Sequence, residues 1–144
     1  MEHLVRMGLL FDFYGELLTP KQQKVFSLYF LQNLSLGEIA EEEETSRQAV
    51  HDLLQRTEKL LEKWEGKLHL LDQYLRHQRA LGEVDRAMKA LGKLLPPEAT
   101  AQNAFHRLEE KVARLAAELD LKPEEEEAGP SGSEDALSKK GSGE

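Results

Sequence analysis

The chain of 144 residues is long enough for one domain with an appendage, and its 40% apolar residues supply a modest core. It holds no cysteine, which excludes disulfides and thiolate chemistry. With 6% aromatic and 32% charged residues, the composition favours an all-α protein over a β-sandwich. No apolar run approaches the roughly 18 residues that span a bilayer, so we expect a cytoplasmic protein without membrane insertion.

The formal charge of −8 is unevenly spread along the chain. Residues 1–65 carry 12 acidic and 7 basic side chains, residues 66–122 carry 8 and 10, and residues 123–144 carry 7 and 2. A module that binds duplex DNA tightly neutralises several phosphates with Lys and Arg. An acidic N-terminal half therefore counts against strong non-specific DNA binding.

Apolar side chains at helical spacing predict a first amphipathic helix over about residues 3–18. Thr19, Pro20 and Gln22 then provide an N-cap, a proline at the first helical position and a glutamine at the capping-box position. The second helix starts there and ends near Asn33. Because it is apolar over a wide arc, we expect it to be the central buried helix.

The stretch Ser35–Thr57 predicts a helix-turn-helix. Ser35 caps a short third helix over about residues 36–43, with Glu38 completing a capping box, and Ser46 caps a fourth helix. Only a few residues separate the two helices, which leaves room for a tight corner and nothing more.

One face of the fourth helix is the candidate nucleic-acid-binding surface. If Ile39 and Ala40 of the third helix pack on Val50 and Leu53, four polar side chains face outward: Arg47, Gln48, His51 and Gln55. Arginine suits guanine and glutamine suits adenine in the major groove. The alternative is an ordinary polar helix face, which the four glutamates at residues 41–44 favour because they repel phosphates.

The fourth helix shows no obvious stop, and its apolar spacing predicts that it runs to about residue 80, with a bend at Gly82. Four residues define a packing seam along it: Leu60, Trp64, Leu68 and Leu71. Such a seam needs a cover, either a later helix of the same chain or a second copy, and it therefore predicts a homodimer as one outcome. We interpret Trp64 as a packing residue rather than a partner anchor.

The C-terminal half predicts one more helix over about residues 98–120, packed antiparallel on residues 70–95. A secondary basic surface is also predicted, or else a solvated helix face, at Arg76, Arg79, Arg86, Lys89 and Lys93. The predicted domains are a helix-turn-helix head (1–65), a long-helix extension with the C-terminal helix (66–121) and a disordered acidic tail (122–144). No residue pattern indicates a metal site, a cofactor or catalysis.

Five strings of residues are similar to the bacterial YlxM family: LFDFY, LLTPKQ, SLGEIAEE, SRQAV and RTEKLLEKWEGKLHLL. The resemblance covers about residues 4–75. It implies a small all-helical protein whose helix-turn-helix is similar to region 4 of sigma factors. It also implies a non-enzymatic accessory or regulatory role in the signal recognition particle pathway, with the particle RNA and GTPase as partners. Two alternatives are a sequence-specific transcription regulator that binds DNA and a structural interaction scaffold.

Carried over by position, the resemblance makes Leu36–Glu43 the scaffold helix and Arg47–Thr57 the recognition helix. This chain departs from the family pattern in the corner between them, where Glu43 replaces a large apolar residue and Thr45 an aliphatic one. Burying an unpaired carboxylate costs several kcal/mol, so we expect Glu43 to turn into solvent and the corner to be loose.

Overall fold

The computed structural model describes residues 1–121, and the acidic tail predicted for residues 122–144 lies outside the described residues. Over the described range the chain folds into six α-helices and no strand, which confirms the all-α prediction. It separates into two compact units, residues 1–80 and residues 81–144. The first unit extends further than the predicted boundary at residue 65, because Leu71 is fully buried in its core.

Two helices and two irregular turns form the N-terminal part of the first unit. Helix α1 (His3–Tyr14) ends in a 3-10 turn, Gly15–Leu17. Helix α2 (Pro20–Phe26) begins with the predicted capping box, in which Thr19 Oγ1 accepts from Gln22 N and Gln22 Oε1 accepts from Thr19 N. It continues as one π-helical turn, Ser27–Leu31. The π turn keeps contact with the core, because Leu28 within it is buried and Phe30 packs against both apolar clusters.

Helices α3 (Leu36–Glu42) and α4 (Arg47–Leu68) form the predicted helix-turn-helix. Ser35 Oγ accepts from Glu38 N, and Ser46 Oγ accepts from Ala49 N. The serine half of the α3 capping box is therefore present, while among the described residues the Glu38 side chain does not bond back. In the corner, Glu44 adopts a left-handed conformation (φ 52°) and Thr45 N donates to Ala40 O at 2.9 Å.

Two apolar clusters hold this unit together. The first joins α1, α2, α4 and the start of the next helix through Met7, Leu10, Tyr14, Leu18, Phe26, Leu61 and Leu71. The second lies under the helix-turn-helix and contains Val25, Leu28, Ile39, Ala40, Val50 and Leu54. Val25 and Phe26 are consecutive on α2 and belong to different clusters, so this helix links the helix-turn-helix to α1.

The prediction of one long helix to about residue 80 is wrong. Helix α4 ends at Leu68, His69 adopts a left-handed conformation (φ 56°), and helix α5 (Leu70–Leu94) follows at once. Helix α5 is unbroken through Gly82, where the sequence predicts a bend.

A buried carboxylate explains why the chain breaks at His69. Glu65 Oε1 accepts from Tyr14 Oη and from Leu71 N, both at 2.8 Å, and its Oε2 accepts from Asp72 N at 3.3 Å. The Tyr14 hydroxyl in turn accepts from Leu70 N at 3.2 Å. The first three N–H groups of α5 thus find partners outside their own helix, which replaces the missing i−4 carbonyls.

The predicted packing seam is covered mainly within one chain. Leu71 belongs to the first cluster, and Leu60 and Trp64 pack against it. The α4 part of the seam is covered by α1 rather than by a later helix. Leu68 is the exception, because it is 55% exposed. The seam therefore gives no reason for a homodimer, and the oligomeric state stays a prediction.

The described part of the second unit is a pair of helices. It comprises the C-terminal half of α5 and helix α6 (Ala99–Glu118). Leu121, three residues after the end of α6, is buried. Phe105 lies against Gly92, where an added Cβ would be 2.9 Å from the ring, so a larger residue at position 92 would displace the ring. None of the described helices is long and apolar enough to cross a membrane.

Candidate nucleic-acid interface

The four candidate residues lie where the sequence predicts, on the solvent side of α4. Val50, Leu54 and Thr57 turn inward and are buried, which fixes the rotation of the helix. Consequently Arg47, Gln48, His51 and Gln55 are all exposed. Within the described part of the chain, Arg47 and Gln55 make no side-chain hydrogen bond or ion pair, so both are available to a ligand.

An acidic residue that the sequence analysis missed, Asp52, lies at one edge of this face. Gln48, Asp52 and Gln55 are spaced i, i+4, i+7 and share one side of the helix. Gln48 Nε2 donates to Asp52 Oδ1 at 2.9 Å, and His51 Nδ1 lies 3.6 Å from the same oxygen. Asp52 therefore occupies part of the hydrogen-bonding capacity of Gln48 and adds a negative charge beside the face that phosphates would approach. The helical spacing alone could have revealed it.

Beside this face, a polar groove separates α4 from the N-terminus of α2. Its volume is about 430 Å³, and its lining comprises Thr19, Lys21, Gln22, Ala49, Asp52, Leu53 and Arg56. Two of these residues, Lys21 and Arg56, are exposed cations that the sequence analysis did not single out. They lie on the opposite side of Asp52 from Arg47, so positive charge flanks the face on both sides.

The corner of the helix-turn-helix differs from the prediction. Glu43 does not turn into solvent: its side chain is only 14% exposed and its Oε1 lies 2.8 Å from Lys24 Nζ. Among the described residues this ammonium is the only close polar partner of that buried oxygen. The hydrogen bond to Glu43 raises the pKa of Lys24 above its ordinary value. Pairing with Lys24 offsets the desolvation that made burial of Glu43 look too costly.

A cavity of about 30 Å³ remains in this corner, with Val25, Glu43, Thr45, Val50 and Leu53 in its lining. This volume is about that of one water molecule in the liquid. The carboxylate and the hydroxyl therefore fill the corner less completely than two aliphatic side chains would.

We expect Glu43→Leu to raise the melting temperature by a few degrees, because the leucine removes a buried carboxylate and fills the cavity, while the Lys24 side chain is 57% exposed and is solvated by water without its partner. Differential scanning calorimetry measures the change. The control is Glu42→Leu, an exposed position on the same turn that should change the melting temperature little. A large loss of stability in Glu43→Leu would mean that the ion pair, and not the filling of the corner, sets the geometry.

The secondary basic surface is divided between the two units. Arg76 and Arg79 belong to the first unit, and Arg86, Lys89 and Lys93 to the second. Arg76 pairs with Asp72 at 3.3 Å, and Lys89 pairs with Asp85 at 3.0 Å. Neutralisation by i, i+4 aspartates favours the interpretation of a solvated helix face.

No chemistry-bearing cluster accompanies the helix-turn-helix. Within residues 1–121, no group of three His, Asp or Glu side chains is arranged to hold a metal ion. The groove beside α4 is lined by polar and aliphatic groups without a nucleophile and base in contact.

A compact helical head with two serine-capped helices around a tight corner defines a helix-turn-helix protein. The chain belongs to the UPF0122 family, described as helix-turn-helix proteins, YlxM / p13 like, and its residues 1–94 match that family. This confirms the family that the sequence resembles. It is a family of helix-turn-helix proteins and not of enzymes.

Relatives extend the likeness beyond the head. A UPF0122 protein of Bacillus mycoides is 44% identical over 115 residues, which cover 80% of this chain and 98% of the relative. A UPF0122 protein of Listeria welshimeri is 54% identical over 80 residues, 56% of this chain and 73% of the relative. A UPF0122 protein of Bacillus thuringiensis is 52% identical over 84 residues, 58% of this chain and 76% of the relative. The identity is thus higher in the two shorter matches than in the long one.

Proposed function

We propose that this is a non-enzymatic regulatory protein of the cytoplasm whose helix-turn-helix contacts nucleic acid weakly, as an accessory of the signal recognition particle pathway. One observation carries the nucleic-acid part: Arg47 and Gln55 are exposed on the outward face of α4 and have no side-chain partner among residues 1–121. The pathway rests on the resemblance to the YlxM family. The particle RNA is accordingly the first ligand to test, and the particle GTPase the first protein partner.

The charges around the interface explain why the contact is weak. Arg47, Lys21 and Arg56 supply three cations near the face, each able to approach a phosphate. Asp52 opposes them from the edge of the face, and the exposed glutamates at positions 41, 42 and 44 add further negative charge to the helix-turn-helix. With few phosphates neutralised, affinity depends on additional contacts, which a partner protein can provide.

A second candidate function is sequence-specific regulation of transcription. The free Arg47 guanidinium favours it, because a bidentate contact to guanine is the commonest specific contact in the major groove. Duplex DNA, particle RNA and the purified particle GTPase, titrated separately at two salt concentrations, distinguish the two functions. If duplex DNA alone binds and the particle components do not, the accessory role in the particle pathway is excluded.

We expect Arg47→Ala to weaken nucleic-acid binding by about 1 to 3 kcal/mol, or roughly 5- to 100-fold, if the arginine contacts a guanine. Asp52→Asn should strengthen binding of every nucleic acid, because it removes a negative charge from the face without changing the shape of the side chain. Fluorescence anisotropy with labelled RNA and DNA measures both changes.

Lys63→Ala is the matched control, since it removes one exposed cation from the same helix about 24 Å from Arg47. It should leave both the affinity and the salt dependence unchanged. If Arg47→Ala and Lys63→Ala behave alike, the outward face of α4 does not contact nucleic acid and the protein is an interaction scaffold.

A further inference from the structure

The helix pair of the second unit leaves much of its apolar surface uncovered. Within the described residues, α6 contains no buried side chain, and the largest buried group of this unit is Leu121. Large apolar side chains are instead exposed along both helices: Val84, Leu91, Leu94, Leu108, Leu115 and Leu119. A pair of helices with so little buried surface needs a further cover to hold one arrangement.

The exposed residues form a continuous face. Val84 and Leu91 are seven residues apart on α5, and Leu108 and Leu115 are seven apart on α6, so each pair lies on one side of its helix. All four side chains are between 42% and 52% exposed. Next to them run the partly buried rows through which the two helices face each other, Met88 and Leu95 on α5 and Phe105 and Val112 on α6.

The exposed apolar surface of this unit is at the upper end of what a monomer shows. The six exposed side chains of the two helices together expose roughly 500 Å² of apolar area, whereas the largest apolar patch on a typical monomer is about 300 to 600 Å². A stable interface buries about 800 Å² on each partner. These side chains alone would therefore supply more than half of the surface that a stable dimer needs.

We infer that a second copy of the chain covers this face, so that two α5–α6 pairs form a four-helix bundle around a two-fold axis. Heptad-spaced apolar residues on both helices of an antiparallel pair are the pattern of such bundles. Residues 81–121 carry seven acidic and six basic side chains, so two copies meet without strong repulsion. Residues 122–144 contain a single large apolar residue, Leu137, and cannot supply a matching surface.

This interface differs from the seam predicted around Trp64, and it does not depend on the proposed function. Sedimentation equilibrium of the full chain between about 5 and 100 µM should show a dimer. Leu91→Glu combined with Leu115→Glu should raise the dissociation constant by about 100-fold or more, because association would bury two unpaired carboxylates in each copy. Leu68→Glu is the control: it is equally exposed but belongs to the other surface, and it should leave the dimer intact.

A chain that is monomeric at 100 µM overturns the proposal and assigns the face to another partner. The proposal is also overturned if Leu68→Glu dissociates the dimer and the double variant leaves it intact. That result would place the interface at the seam. Circular dichroism checks that the double variant keeps its helices. Because the chain has no cysteine, Leu91→Cys and Leu108→Cys can also be tested with a bis-maleimide, and Lys63→Cys is the control. Absence of covalent dimer from both face positions counts against the bundle even if the double variant unfolds.

Discussion

Glu65→Ala should destabilise the first unit by about 3 kcal/mol and lower its melting temperature by about 15 °C. Glu65 is buried, and its carboxylate accepts from the Tyr14 hydroxyl and from the backbone N–H groups of Leu71 and Asp72. Alanine leaves these donors without a partner in a site that water does not reach freely. The cost of unpaired buried donors, rather than the charge itself, sets the size of the effect.

The matched control is Glu62→Ala, one turn earlier on the same helix. Glu62 also makes a two-pronged contact, with Arg6 Nε at 2.7 Å and Arg6 Nη2 at 2.8 Å, but the side chains are 36% and 43% exposed. Water replaces Arg6 when Glu62 is removed, so the loss should stay below about 1 kcal/mol. Urea denaturation of both variants measures the difference. Equal losses would show that Glu65 does not hold the break between α4 and α5.

The Tyr14–Glu65 hydrogen bond should also make the stability of the first unit depend on pH in the alkaline range. Burial raises the pKa of Tyr14 above its ordinary value of 10.0, and the hydrogen bond to Glu65 adds to the rise. Because the folded state favours the neutral phenol, its contribution to stability is complete below pH 10 and is lost as the pH rises through the pKa of the folded state. In Tyr14→Phe the stability should therefore depend less on pH above 10 than in the unaltered chain.

The sequence predicts the helix-turn-helix well because its signals are local. Serine caps at positions 35 and 46, with apolar residues at helical spacing behind them, place α3 and the start of α4 to within a residue. The rotation of α4 follows from the same spacing, so the exposure of Arg47 and Gln55 is predicted correctly. Only contacts three or four residues apart are needed for these conclusions.

The sequence fails where a distant residue decides the structure. The local sequence does not mark His69 as a helix end, since the apolar spacing continues through it and the nearest glycine, Gly66, lies inside α4 without ending it. The break depends on Tyr14, 51 residues before its partner Glu65. Glu43 shows the same limitation, because its burial depends on Lys24, which lies on another helix. The residues next to Glu43 in the sequence do not reveal that partner, so burial of the carboxylate looked too costly.

Asp52 is a different case, because the information was present in the sequence. The i, i+4 spacing to Gln48 and its position between Gln48 and Gln55 place it on the outward face. The sequence analysis considered the residues that favour nucleic-acid binding and left out Asp52, which opposes it. An interface is defined by its unfavourable groups as much as by its favourable ones.

Phe26→Ala should cost about 3 to 5 kcal/mol, the range for a fully buried phenylalanine. The Phe26 ring stacks between Phe11 and Phe30, with centroids 4.8 and 4.4 Å away and interplanar angles of 10° and 28°. Removing it opens a cavity between two rings whose backbones belong to other elements and cannot close the gap freely. Phe13→Ala is the control, because Phe13 is 36% exposed and its aromatic neighbours among the described residues are Tyr14 and Tyr74, and it should cost about 1 kcal/mol.

The position of Phe26 extends its effect to the helix-turn-helix. Val25, its neighbour, is fully buried in the cluster under α3 and α4, and Lys21 and Gln22 of the same helix line the groove beside the outward face. Displacement of α2 should therefore weaken nucleic-acid binding even under conditions where Phe26→Ala remains folded, whereas Phe13→Ala should bind normally. If Phe26→Ala loses stability but binds with unchanged affinity, then the outward face of α4 works without the groove, and Lys21 and Arg56 are not part of the interface.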